Sequence, residues 1–341
     1  MSTLPRVAIR TLGGTIAMAR VRPDRAAVPA IDAAELIAAV PSLAEIARVD
    51  SASVCNVPSA SLSMSVLFDL VDELARSCQA GADGAVITMG TDTLEEVAGG
   101  LEFLWPRSEP VVVTGAMRTA DAVSADGPGN VAAAVTVAAS PAASGRGVLV
   151  VMNDEIHSAR TVRKTHSTST AAFASPGSGP VGYVHEGTAC FIAAPPRRNV
   201  LTPSRLSPVP QVALLRVALG SDTRLLTSAV RDYDGIVIEA LGGGHVPDWW
   251  VPELRAAASQ IPIVMASRTG GGAVLRSTYS FPGSEGDLID AGVLPAGVLD
   301  GLRARILLTL CLMLGSEVGA VLDEFSRHAR PWSPGYGQGE S

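Results

Sequence analysis

The sequence predicts an α/β protein of two domains, the first built on parallel strands and the second repeating that pattern on a smaller scale. Three observations predict it. Short aliphatic runs alternate with helical patterns, and most of the runs stop at a glycine. The chain is 47% hydrophobic but only 4% aromatic, so small residues supply the bulk, which suits helices packed closely on a sheet. Its 341 residues exceed one ordinary core and fit two.

Residues 6–12 carry Val7, Ile9 and Leu12 and stop at Gly13-Gly14. Residues 85–89 end at Gly90, residues 110–114 contain three valines and end at Gly115, and residues 147–152 are a fourth run. Between them, Thr93-Leu94-Glu95-Glu96 has the form of a capping box, followed by Val97, Leu101 and Leu104 at helical spacing. Asp126-Gly127-Pro128 opens an alanine-rich helix through Ala139, with proline near the first turn where its missing N–H does no harm. Residues 194–211 hold five prolines without periodicity and read as a linker. Beyond them, residues 212–217, 235–241 and 261–266 repeat the strand pattern, and an apolar helix over residues 298–315 closes the second core. The expected division is therefore residues 1–194, a linker at 195–211, a smaller domain at 212–330 and a loose tail at 331–341.

No apolar stretch reaches the ~18–20 residues a bilayer needs. The N-terminus enters a strand-like run without the apolar core of a secretory signal, so a cytoplasmic location is expected. Cys55, Cys78, Cys190 and Cys311 form no C-x-x-C pair and read as reduced, mostly buried thiols, with no zinc site. A net charge of −7 argues against nucleic acid or an anionic membrane as partner. Among the 26 basic residues, 25 are Arg and one is Lys, at position 164. Lysine can lose its proton and act as a base, which arginine cannot.

Ligands of an open parallel sheet bind at the carboxyl ends of its strands. Three such ends carry polar groups: Thr11-Leu12-Gly13-Gly14-Thr15-Ile16, Thr88-Met89-Gly90-Thr91-Asp92-Thr93 and Thr114-Gly115-Ala116-Met117-Arg118. If those strands are neighbours, Thr15, Thr91, Asp92 and Ala116 meet in one crevice. A threonine hydroxyl becomes a nucleophile once a base takes its proton. Lys164, desolvated between threonines, could drop its pKa towards neutrality and serve as that base. Thr91 precedes a helix, whose free N–H groups favour developing negative charge. Plainer readings stand beside these. Gly-Gly-Thr after a strand also occurs in phosphate loops, although neither G-x-G-x-x-G nor a Walker lysine completes here. Gly90-Thr91-Asp92-Thr93 also suits simple helix capping.

Together these segments resemble the bacterial-type asparaginase and glutaminase family, distinct from the N-terminal-nucleophile asparaginases. Gly13-Gly14-Thr15-Ile16-Ala17 is similar to its first signature and Gly90-Thr91-Asp92-Thr93-Leu94-Glu95-Glu96 to its second. Val113-Thr114-Gly115-Ala116-Met117-Arg118, Ser124-Ala125-Asp126-Gly127-Pro128-Gly129-Asn130 and the run from Gly147 to Asp154 extend the likeness. The resemblance implies a larger N-terminal, mainly parallel-sheet α/β domain with helices on both faces and a smaller C-terminal α/β domain. It implies hydrolysis of L-asparagine to L-aspartate and ammonia through a threonyl ester, without metal or cofactor. By the same resemblance Thr15 is the nucleophile, Thr91 and Lys164 form the second catalytic group, and Asp92 grips the substrate amino group. Ser59 would bind the substrate carboxylate and Ala116 would offer its carbonyl near the leaving amide. His245 would reach into a partner subunit's site within a homodimer or homotetramer, with Glu285 near a second such position.

The chain departs from the family pattern in several places. The flap at residues 18–31 carries no tyrosine to help activate the nucleophile, offering Arg20, Arg22, Asp24 and Arg25 instead. Leu12 stands in place of a small or hydroxyl residue, Met89 where a histidine often sits, and Ala60 in place of a polar neighbour of Ser59. Altered activation or substrate preference is the expectation. Hydrolysis of another small amide, glutamine or a modified asparagine, is one alternative. A non-catalytic amino-acid sensor with the same pocket is another, favoured by the missing tyrosine and opposed by intact Thr15, Thr91, Asp92 and Lys164.

Overall fold

The computed structural model describes residues 4–14, 16, 18–19, 28–29, 33–194, 198–205, 208–315 and 317–329. The expected nucleophile Thr15, the flap residues Arg20, Arg22, Asp24 and Arg25, and the tail at 331–341 lie outside them. The chain divides into two compact units, Met1–Pro195 and Pro196–Ser341.

The first unit runs β1 (Arg6–Thr11), β2 (Met18–Ala19), β3 (Val28–Pro29), α1 (Ala33–Ala38), α2 (Leu43–Ile46), β4 (Arg48–Ser53) and α3 (Ser65–Gln79). It continues with β5 (Gly84–Thr88), α4 (Leu94–Leu104), β6 (Val111–Thr114), α5 (Gly127–Ala138) and β7 (Val148–Met152). Then come β8 (Glu155–Ser158), β9 (Arg163–Lys164), β10 (Phe173–Ala174), β11 (Gly182–His185) and β12 (Thr188–Phe191). An eight-stranded sheet has the order β12-β11-β8-β7-β6-β5-β1-β4. The five strands from β7 to β4 are parallel, and β8, β11 and β12 extend the sheet antiparallel.

Every residue of β5, β6 and β7 is buried. A parallel strand covered on both faces reads as a continuous apolar run, which is how these strands appear in the sequence. One face packs Val7, Ile9, Val86, Val112, Leu149 and Val151 against Val131, Ala134 and Val135 of α5 and Leu43 of α2. Helices α3 and α4 pack against each other and on the sheet. The β7–β8 turn places Asn153 and Asp154 at φ 53° and 61°, a left-handed pair that matches strand twist in a two-residue hairpin.

Among the parallel strands the chain starts at β1, steps out to β4, then crosses back to β5 and continues to β7. The order therefore reverses between β1 and β5. A crevice opens at the carboxyl ends of such a switch point, because the adjoining loops turn away from each other. The loops after β1 and β5 are those carrying Gly13-Gly14 and Gly90-Thr91-Asp92.

The second unit contains β13 (Val212–Arg216), α6 (Arg224–Asp232), β14 (Gly235–Ala240), α7 (Val251–Ala258) and β15 (Ile263–Ser267). It ends with α8 (Glu285–Asp290), β16 (Leu294–Pro295), α9 (Gly301–Leu312) and α10 (Val318–Ala329). Its four-stranded parallel sheet has the order β13-β14-β15-β16 around a core that includes Ile236, Ile238, Met265, Leu254 and Trp250. Helix α9 is shorter than expected because the Asp300 side chain accepts the Arg303 N–H and caps it there. The thiols are all free, but only Cys78 and Cys311 are buried; Cys55 is intermediate and Cys190 exposed. Among the described residues no helix is long and apolar enough to cross a membrane.

Candidate active site

Glycines bring the strand-end loops into backbone contact. Gly13 and Gly14 adopt φ +90° and +88°, where L side chains are strained. A Cβ on Gly14 would fall 2.0 Å from the Gly90 nitrogen, and one on Gly90 would fall 2.6 Å from Ser59 Oγ. A Cβ on Gly115 would meet the Met89 carbonyl oxygen at 2.6 Å and Thr91 Cγ2 at 3.1 Å. The loops after β1, β5 and β6 thus touch with no side chain between them.

Around that contact the structure brings together Ser59, Thr91, Asp92 and Lys164. Lys164 Nζ lies 2.9 Å from Thr91 Oγ1 and 3.1 Å from Asp92 Oδ1. The amine therefore sits between a threonine and a carboxylate, not between two threonines as expected from the sequence. Thr91 is buried, the Lys164 side chain is 17% exposed and that of Asp92 66% exposed, so the trio grades from the interior to an open mouth. Ser59 is buried on a short 3-10 turn, and its Oγ accepts the Asp92 N–H at 3.2 Å. Its own hydroxyl proton stays available to an acceptor.

The capping box expected at Thr93 does not form. Thr93 makes no side-chain cap and instead donates its hydroxyl to the Ser59 carbonyl at 2.9 Å. Tying two loops together takes precedence there over satisfying the α4 N-terminus.

Two buried carboxylates near the crevice escaped the sequence reading. Glu95, buried in the first turn of α4, accepts the Lys164 backbone N–H at 2.9 Å. Seven residues on, buried Glu102 accepts the Val148 N–H at 2.9 Å and pairs with Arg160 at 3.3 Å. Residues seven apart share a helix face, so α4 offers two buried carboxylates that hold the segment leading to Lys164. Its N-terminal end presents Thr91, so one rigid helix sets the spacing of both groups. Two glutamates on one otherwise apolar helical face were the available signal.

Ala116 is fully buried in the loop after β6. That loop is braced by Asp126, whose carboxylate accepts the Met117 and Arg118 N–H groups at 2.9 Å each, and by Asn130, which donates to the Gly115 carbonyl at 3.0 Å. Of the departures from the family pattern, Leu12 and Met89 are buried at 1% and 0% exposure. They change core packing and leave the polar groups of the crevice alone. Ala60 is exposed.

His245 belongs to the second unit and has surroundings of its own. Its Nε2 lies 3.1 Å from Glu285 Oε2, and its ring stands edge-on to Tyr279 and Phe281 at 5.2 Å each. Burial pushes the Glu285 carboxyl up, but the backbone N–H groups of Tyr279 and Thr278 and the His245 ring hold it below the usual carboxylate range. Among the described residues no group of three or more His, Cys, Asp or Glu side chains could hold a metal ion.

Comparison with known proteins agrees with this geometry. Residues 6–197 match the family model for the asparaginase N-terminal domain, and residues 211–325 that for the glutaminase/asparaginase C-terminal domain. A probable L-asparaginase of Deinococcus radiodurans is 38% identical over 324 residues, covering 93% of this chain and 95% of that protein. L-asparaginase 2 of Escherichia coli is 36% identical over 333 residues, covering 95% and 94%. The crystal structure of a probable cytoplasmic L-asparaginase from Campylobacter jejuni superposes with a TM-score of 0.84 at 32% identity, covering 94% of this chain and 99% of that one. Both domain models match in order, and two relatives covered over nearly their full length are 36% and 38% identical to it: the chain belongs to the bacterial-type asparaginase family.

Proposed function

We propose that the chain hydrolyses the side-chain amide of L-asparagine, giving L-aspartate and ammonia. The observation that carries this reading is the 2.9 Å contact between Lys164 Nζ and Thr91 Oγ1, with the Asp92 carboxylate alongside. In this reading the Thr15 hydroxyl oxygen adds to the amide carbon and its proton passes to the amide nitrogen. The tetrahedral oxyanion collapses, the C–N bond breaks, and the nitrogen leaves as ammonia. Water then gives a proton to the Thr91–Lys164 pair and adds to the threonyl ester, releasing aspartate and restoring the threonine. The Asp92 carboxylate holds the substrate ammonium, the Ser59 hydroxyl donates to the substrate carboxylate, and the Ala116 carbonyl accepts from the amide N–H.

The same reading includes a homodimer or homotetramer in which His245 of one copy completes the site of another, and a cytoplasmic location, which suits four free thiols. An ammonia-release assay over asparagine, glutamine and N-substituted asparagines tests it. Asparagine is expected to turn over fastest. Faster glutamine release would move the substrate assignment, and no release from any amide together with tight aspartate binding would make the chain a sensor.

A further inference from the structure

Beside β1, from Arg6 to Arg10, the first unit holds a second cavity of about 180 Å³. It is lined by Arg6 and Arg10 of β1, Arg48 and Asp50 of β4, and Arg76 and Glu73 of α3, among others. Four guanidinium groups face two carboxylates, on a chain whose net charge is −7.

The hydrogen bonds say which of these charges are already matched. Arg10 is buried and saturated: Nε donates to Glu73, Nη1 to the carbonyls of Ile9 and Asp50, and Nη2 to the Asp50 carboxylate and Ser77 Oγ. Glu73 also pairs with Arg76 at 2.8 Å. Asp50 and Glu73 therefore offset Arg10 and Arg76. Of the remaining two, Arg6 gives one N–H to the Ala80 carbonyl, and the Arg48 side chain makes no hydrogen bond or ion pair among the described residues. Asp83, just outside the cavity, is engaged by the Arg6 backbone N–H.

Arg6 and Arg48 are direct register partners on the parallel strands β1 and β4. Like charges side by side on a sheet face are destabilising, so the fold keeps an unfavourable pair that a bound anion would turn favourable. We propose that this cavity binds a small dianionic oxyanion, a phosphate group or a short dicarboxylate, between Arg6 and Arg48 with Arg76 at its rim. Guanidinium groups engage such oxygens in pairs, two N–H to two O, which favours arginine over lysine here. Size narrows the ligand. Pockets for larger molecules begin at about 300 Å³, so this one suits a single oxyanion and excludes a nucleotide. The site is separate from the crevice, since none of its lining residues belongs to the loops that carry Ser59, Thr91, Asp92, Ala116 or Lys164.

Isothermal titration of the full chain with inorganic phosphate, and separately with succinate, at matched ionic strength tests the proposal. At least one is expected to bind saturably, with affinity reduced about tenfold or more in Arg48→Ala and in Arg6→Ala, while ammonia release and far-ultraviolet circular dichroism stay unchanged. The tighter of the two probes identifies the oxyanion. Saturable binding by neither, or wild-type affinity in either folded variant, overturns it.

Discussion

Glu95 provides a stringent test of how the crevice is held. Its carboxylate accepts the Lys164 backbone N–H at 2.9 Å from a position 7% exposed to solvent. Glu95→Ala leaves that N–H without its acceptor in a dry place. Losing a hydrogen bond to a charged group costs about 1.5–3 kcal/mol. In a unit of 195 residues each kcal/mol lowers Tm by roughly 2–4 °C, so the melt should fall by roughly 3–12 °C. The kinetic effect follows from position. Releasing β9 lets Lys164 drift from Thr91, and a misplacement of about 1 Å costs on the order of 10²-fold. We expect kcat for asparagine to drop roughly 10- to 100-fold with KM changing less than about threefold, because Ser59 and Asp92 are untouched. Glu95→Gln keeps an acceptor oxygen and should recover most of kcat, which marks Glu95 as a positioning residue and not a catalytic one. Steady-state ammonia release and thermal melts read all three proteins. Wild-type kcat in folded Glu95→Ala, or a rise in KM alone, would refute the reasoning.

Two further outcomes follow from the same structure. Gly14→Ala would place a methyl 2.0 Å from the Gly90 nitrogen at φ +88°, and should destabilise the first unit by more than about 3 kcal/mol in urea unfolding or prevent soluble expression; a wild-type unfolding midpoint would contradict the backbone-contact account. Burial lowers the His157 pKa from 6.5 to about 4, so the folded chain resists a proton that the unfolded chain accepts. Its contribution is complete above pH 6.5 and is lost as pH falls towards 4, by at most about 3 kcal/mol. The Glu155 carboxylate 3.2 Å from Nε2 would trim that loss. Stability measured between pH 7 and 4.5 should therefore fall less steeply in His157→Gln than in wild type, and parallel curves would exclude the histidine as a cause.

Much of this architecture was legible because parallel strands covered on both faces leave an unbroken apolar run that ends where a loop must turn. β1, β5, β6 and β7 were all visible in this way, each within a residue or two of its limits. The edge strand β4 was not. With one neighbour and an alternating, largely exposed face, Arg48–Ser53 reads as a polar loop, and only backbone pairing with β1 makes it a strand. Helix α3 (Ser65–Gln79) carries Val66, Leu67, Leu70 and Leu74 at helical spacing, but its N-cap is Met64, which makes no side-chain cap, so little marks where it starts. Within the crevice, Thr91, Asp92 and Ser59 stood out through their glycine-rich surroundings and Lys164 through its singularity. Glu95 and Glu102 were invisible in kind: each works on segments between 46 and 69 residues away, and no local pattern says which segment a helix will meet. The Thr93 capping box failed for the same reason: its hydroxyl turns to donate to the distant Ser59 carbonyl and does not accept from the local N–H groups of α4.

The central claim is that Thr91 and Lys164 work as one chemical unit, and a double-mutant cycle on kcat for asparagine tests it most directly. Thr91→Val, Lys164→Met and the double variant would each be assayed for ammonia release. If the pair acts together, each single change costs on the order of 10²-fold or more and the double costs little beyond the worse single. Losses that multiply in the double variant, or near-wild-type turnover in Lys164→Met, would contradict it.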